Sequence, residues 1–230
     1  THGADALYGC PFGARMKIGF FTVYKGDPSH YVVADIMIRS CLAVMPDVPI
    51  VQMTDMTSPE IPNVTEVRRL PSERMAVLRM RHQAACEGEW LFLDTDCVVK
   101  KDVRDVFKSS FDIALADRNW PHIPMTPQLE EFNREMPFNI AIAFSRYPAF
   151  WQAAIEKMHQ MPEDRQSWMG DQYAVCDVIR EGRFTVKVLP GMIYHYPPGA
   201  FYDDGNHAAI LHYKGHRKPW MIQRYLGVAE

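Results

Sequence analysis

Short, unbroken apolar runs alternate along this chain with segments of helical period. Residues 18–23 form one such run, of strand length, and it stops at the loop chemistry of Tyr24, Lys25, Gly26, Asp27 and Pro28. Val32, Ile36, Ile38 and Leu42 then recur at roughly helical spacing, with Ser29 placed to cap the helix and Pro46 and Pro49 placed to end it. Further strands are expected over 50–53 and 64–68, and a helix over 74–87 that Gly88 terminates. The run 90–93, Trp-Leu-Phe-Leu, shows no alternation, as in a strand covered on both faces. Strands over 113–116, 140–144 and 184–189 and helices over 149–158 and 171–180 complete the pattern. Strand then helix, repeated, predicts an α/β fold with a Rossmann-like, mostly parallel central sheet flanked by helices. Residues 119–137, rich in Pro, Met and polar side chains, interrupt it between two strands and read as a mobile loop near a site.

The 230 residues, 47% of them hydrophobic, suffice for one full core, and a single domain is expected over 16–230. Residues 1–15, rich in Gly and Ala and without periodicity, are expected to lie outside it as an extension. A formal charge of −3 offers no overall electrostatic footprint for nucleic acid or an anionic membrane and favours small or neutral partners. No stretch approaches the roughly 20 apolar residues of a membrane span, and the first residues lack the charged-then-apolar order of a secretory signal. The five cysteines are scattered without a C-x-x-C spacing, which points to neither a zinc site nor a disulfide framework and fits a reducing, cytoplasmic setting.

Asp94, Thr95 and Asp96 follow the 90–93 strand directly, and ligands of open α/β sheets collect at the carboxyl ends of strands. If the chain stays extended there, both carboxylates project to one side about 6.6 Å apart and can share a hard cation, Mn²⁺ or Mg²⁺. About one D-x-D triplet is expected by chance at this composition, and a solvated turn contains the same residues. Other segments follow in order: Phe138-Asn139-Ile140-Ala141-Ile142, then Gly170-Asp171-Gln172 opening a helix, then His212 with Gly215 three on and Lys218-Pro219-Trp220 six to eight on.

This ordered set resembles the family-eight retaining glycosyltransferases, the group that includes glycogenin and bacterial lipopolysaccharide galactosyltransferases, over roughly residues 17–220. The resemblance implies a GT-A fold, a divalent cation, and sugar transfer from a nucleotide-sugar donor, a UDP-sugar, with retention of anomeric configuration. It leaves the acceptor open among a saccharide, a lipid-linked glycan, a protein and nucleic acid. By it Asp94, Asp96 and His212 hold the metal, Gly215 admits the diphosphate to the backbone and Lys218 neutralises it. Asp171 and Gln172 match the family's G-D-Q, whose carboxylate faces the reacting sugar. Asn139 matches its F-N-S-G, which contacts the donor sugar; Ile140 and Ala141 depart from that motif and leave the sugar's identity open. Thr22, Val23 and Tyr24 fall in the nucleotide-binding loop, Tyr31 would stack on the base, Asp55 would reach uracil or ribose, and Arg79, Thr95 and Asp117 would touch the donor.

Plainer roles stand beside these. Tyr31 suits an aromatic packed on the sheet, Asp55 a turn, Arg79 a solvated helix face, and Asp171 a helix N-terminus. The aromatic stretch 194–204 suits either an acceptor platform or a Pro-rich loop packed by its own rings. Rival functions are a metal-dependent phosphohydrolase or nucleotidyltransferase and a catalytically silent nucleotide- or sugar-binding module.

Overall fold

A computed structural model describes residues 16–167 and 169–227; the N-terminal segment expected as an extension lies outside them. The central strands are β1 (Lys17–Phe21), β2 (Ile50–Asp55), β3 (Glu66–Leu70), β4 (Trp90–Leu93), β6 (Ile113–Asp117), β7 (Phe138–Ser145) and β8 (Val186–Leu189). They form one sheet in the order β3-β2-β1-β4-β7-β6-β8, and a second sheet pairs β5 (Cys97–Val99) with β9 (Ile210–His212). The helices are α1 (Ser29–Val44), α2 (Met75–Ala84), α3 (Pro127–Glu135), α4 (Pro148–Gln160), α5 (Gly170–Arg180), α6 (Gly191–Tyr194) and α7 (Lys218–Leu226). No helix among the described residues is long and apolar enough to cross a membrane.

The sheet is mostly parallel, as expected: β7 alone is reversed, pairing antiparallel with β4 and β6. The reversal follows from the 118–137 excursion, which leaves the carboxyl end of β6 and returns at the same edge, where Asp117 opposes Phe138. β4 is buried at every residue and feeds both faces. Leu91 and Leu93 join a core under α1 and the small sheet, while Trp90 and Phe92 join one under α2, α4 and α5. Such two-sided burial accounts for the missing alternation.

Several expectations are corrected. Pro28, not Ser29, holds the N-cap of α1: Ser29 is already the first helical residue, and the Asp27 side chain accepts its N–H. The 119–137 segment contains α3, started by Thr126, whose side chain accepts from Leu129 N–H, with Pro127 at the first helical position. β5, β9 and α7 lay outside the predicted elements; the two strands are three residues each, too short for periodicity to register.

Candidate active site

β1, β2, β4 and β6 are mutually parallel, so their carboxyl ends share one edge of the sheet. There a cleft of about 1080 Å³ opens, lined by Asp94, Asp96, Asn139, Asp171, His212 and Lys218 among others. The strands that point at it were legible; what each side chain does inside it comes from the packing.

Asp94 and Asp96 diverge, contrary to the extended geometry. Asp94 lies just past β4 and its carbonyl accepts Cys97 N–H at 3.2 Å, closing a turn that sends the two carboxylates to different partners. Asp94 Oδ1 meets Arg79 Nη2 at 2.9 Å. Asp96, 6% exposed, accepts from His212 Nε2 at 3.0 Å and faces Lys218 Nζ at 3.3 Å. The β5–β9 pairing sets this up, with Cys97 opposite His212 and Tyr213 N–H donating to Asp96 O at 2.8 Å. Burial pushes the Asp96 carboxyl up, but His212 and then Lys218 outweigh it and hold it well below the usual carboxylate range.

Metal-ligating atoms of Asp96, Cys97 and His212 lie within 4.8 Å of one another, a group that excludes Asp94. Cys97 is fully buried and its thiol is pushed well above its ordinary value by burial, then by Asp96 and Asp94. A protonated thiol is no ligand for a hard cation, so carboxylate and imidazole are the donors that fit. On the far side His195, fully buried, places Nε2 2.6 Å from His212 Nδ1 and so orients its ring.

Arg79 is not on a solvated face. It reaches from α2 to Asp94, to Asp171 at 3.8 Å and to the Ile140 carbonyl at 2.8 Å. Burial pulls its pKa down, but Asp94 and Asp171 together carry it above its ordinary value. Asp171 is the second residue of α5, and its Oδ1 accepts the Gln172 N–H at 2.9 Å. Its carboxyl is raised by burial; Arg79 opposes the shift and Asp94 adds to it. Met169, which caps α5, holds φ at 74°, a left-handed conformation unusual for a non-glycine residue and located beside the site.

Asn139 and Gln172 are buried in the wall. Asn139 Oδ1 accepts Ala141 N–H at 2.7 Å, and the β6–β7 register shifts between Leu115 and Ala116. Ile140 falls outside the β6–β7 pairing there and its carbonyl accepts from Arg79, while the Ala141 carbonyl continues the β4–β7 ladder and accepts Asp94 N–H at 2.7 Å. Gly215 is exposed at φ +63°, with nothing within 4 Å of where a Cβ would stand. Backbone there is open to a ligand.

The remaining predicted residues lie off the cleft lining. Thr22, Val23 and Tyr24 continue from β1, whose Phe21 does line it. Thr22 O accepts from Thr54 Oγ1, Tyr24 N–H donates to Ser58 Oγ, and the Tyr24 and Tyr31 rings are 5.3 Å apart. Asp55 accepts from Ser58 N–H at 2.8 Å and from Thr57; burial pushes its carboxyl up, yet these hydrogen bonds outweigh it and hold it at about 2. Asp117 Oδ1 accepts from Asn119 N–H and Gly191 N–H, joining β6 to α6. Thr95 is half-buried in the turn between the aspartates. The 194–204 stretch packs on its own rings and neighbours: Tyr196 stacks on His122 at 4.5 Å and donates to Asp203.

Arg118, Lys214 and Arg217 also line the cleft and were not singled out by sequence. Their one signal is position, after a strand end for Arg118 and inside the His-to-Trp segment for the others. Burial, then Arg118 and Arg217, draw the Lys214 ammonium down to about 7, with Asp96 opposing.

No protein-family profile matches the chain. No curated protein matches it in sequence either. Solved structures do. It is similar to a galactosyltransferase, LgtC, in complex with donor and acceptor sugar analogues, at 13% identity and a TM-score of 0.56 over 94% of this chain and 98% of that one. It is similar to the glycosyltransferase GlyE of Streptococcus pneumoniae, at 17% identity and a TM-score of 0.59 over 90% of this chain and 56% of that one. A glycosyltransferase involved in glycosylation of the major capsid of PBCV-1 matches at 11% identity and a TM-score of 0.59, over 92% of this chain and 100% of that one. What this chain shares with all three is the fold, the GT-A type of α/β architecture.

Proposed function

We propose that this chain is a glycosyltransferase that uses a divalent cation to transfer a sugar from a UDP-sugar with retention of configuration. One observation carries the reading: Asp96 meets His212 and Lys218, more than a hundred residues away, on the wall of a cleft at the carboxyl edge of a GT-A type sheet. Asp96 and His212 fit a hard cation, because their facing atoms are 3.0 Å apart, the separation of neighbouring ligands at right angles with bonds of about 2.1 Å. Asp94, which pairs with Arg79 in this structure, would be the third donor. The cation, Mn²⁺ or Mg²⁺, supplies Lewis-acid stabilisation of the diphosphate leaving group.

The chain's own residues do the rest. Lys218, which faces Asp96 at the same wall, would neutralise phosphate charge, and exposed Gly215 would let backbone approach it. Asn139 and Gln172 border the sugar position. Asp171 faces the reacting carbon, oriented by its contact with Gln172 N–H and by Arg79. Thr22, Val23, Tyr24, Tyr31 and Asp55 form the nucleoside end of the same strand edge, Thr95 follows β4 next to it, and Asp117, at the end of β6, belongs to the sugar side.

The test is turnover of UDP-sugars while Mn²⁺ is titrated into wild type and Asp96→Ala. Metal-dependent turnover in wild type and its loss in the variant are expected. Equal metal-free activity in both overturns the reading, and UDP binding without any turnover leaves a silent binding module.

A further inference from the structure

Arg118 follows the last residue of β6, is 5% exposed, and still lines the cleft. Its Nε donates to Phe138 O at 3.1 Å, and its guanidinium lies 4.6 Å from the Phe132 ring of α3 and 5.9 Å from Trp120. Nη2 is buried without a hydrogen-bond partner, and no carboxylate pairs with the group among the described residues. Burial draws its pKa down to about 10, so it remains a cation near neutrality. Lys214 joins it, with Nζ 4.1 Å from the Trp120 ring centre and no acidic partner among the described residues. The carboxylate that acts on Lys214, Asp96, is already engaged by His212 and Lys218.

A guanidinium taken out of water without a counter-ion is strongly unfavourable, and substrate sites are where folds carry such costs. The missing counter-ion then arrives with a ligand. It is not the diphosphate, whose proposed partners are Gly215, Lys218 and the cation held by Asp96 and His212. Arg118 belongs instead to the β6–β7 wall, bonded to the residue before Asn139, on the side proposed for the sugars.

We propose that Arg118 and Lys214 form an anion subsite that takes an acidic group on a substrate sugar, a uronic acid carboxylate or a phosphate ester. The proposal deepens the glycosyltransferase reading and rests on it for the word substrate. The acid is carried either by the donor sugar or by the acceptor, and the experiment separates them.

Calorimetry with the full chain and Mn²⁺ first measures UDP. The donor arm compares UDP-glucuronic acid with UDP-glucose. The acceptor arm compares methyl β-glucuronide and glucose 6-phosphate with methyl β-glucoside, with and without UDP. In one arm the acid is expected to bind at least about tenfold more tightly than its neutral analogue. Arg118→Gln and Lys214→Gln are each expected to reduce that preference while UDP affinity is unchanged. Lys214 is half-buried, so its variant and the wild-type comparison remain decisive if Arg118→Gln does not fold. Absence of acid preference in both wild-type arms overturns the proposal. So does an Arg118→Gln variant that loses UDP as severely as the acids, since Arg118 would then be a diphosphate clamp. Failure of UDP to bind strikes the donor reading alone, because the acceptor arm without UDP still reads the subsite.

Discussion

Asp171 carries a carboxylate whose charged form is disfavoured by burial, a strain that Arg79 relieves only in part. Asp171→Asn keeps the shape and removes the charge. We expect it to lower sugar transfer at least about 10²-fold while the thermal midpoint stays level or rises, since residues shaped for chemistry are often suboptimal for stability. A fall in both would mark Asp171 as structural. Asp55 behaves in the opposite sense. Its folded pKa of about 2 lies below the ordinary carboxylate value, so its stabilisation is present above about pH 4 and is lost as pH falls toward 2. Urea midpoints measured between pH 5 and 2 should drop in wild type, and Asp55→Asn should flatten the acid end of that curve. Residue types at the site were legible because D-x-D, G-D-Q and the His-to-Trp segment are local patterns. That Asp96 and His212 would meet was part of that pattern; that Asp94 would pair with Arg79 instead was not, because a turn closed by one backbone hydrogen bond decides it.

At the scale of elements, the joints between strands and helices set the site's dimensions. Gly191 begins α6 against β6: a Cβ there would stand 2.4 Å from Asp117 O and 2.7 Å from its Oδ1. Gly191→Ala should therefore destabilise by about 1–3 kcal/mol, read as a lowered denaturant midpoint with unchanged slope. The irregularity in β7 is a second joint, since it takes Ile140 out of the β6–β7 pairing and leaves its carbonyl to Arg79. Nothing in Phe-Asn-Ile-Ala announces it. α3 was hidden for another reason: its apolar face is only Leu129 and Phe132, both half-buried, too few for a period to be read within a segment rich in Pro and polar residues.

For the whole molecule, the cleft joins pieces from β4, α2, β7, α5 and the segment from β9 to α7, so a ligand that bridges them should hold the fold together. Mn²⁺ with UDP at about 100 times its dissociation constant is expected to add about 2.7 kcal/mol, a rise in melting temperature of roughly 5–10 °C for a chain of this size. Asp96→Ala should erase the Mn²⁺-dependent part of that rise, as scanning calorimetry with and without chelator would report.

Unbroken apolar runs and their spacing determined the strand-and-helix order, the parallel character of the sheet and the strand end at which Asp94 and Asp96 stand. Those features follow from local burial and backbone preference, which each short segment expresses by itself. The tertiary structure alone decided that β7 runs backwards, that Arg79 bridges Asp94 and Asp171, and that Arg118 and Lys214 stand in the cleft without acidic partners among the described residues. These depend on where distant segments meet and on how much water each charge keeps. Neither quantity is written in the neighbourhood of any one residue.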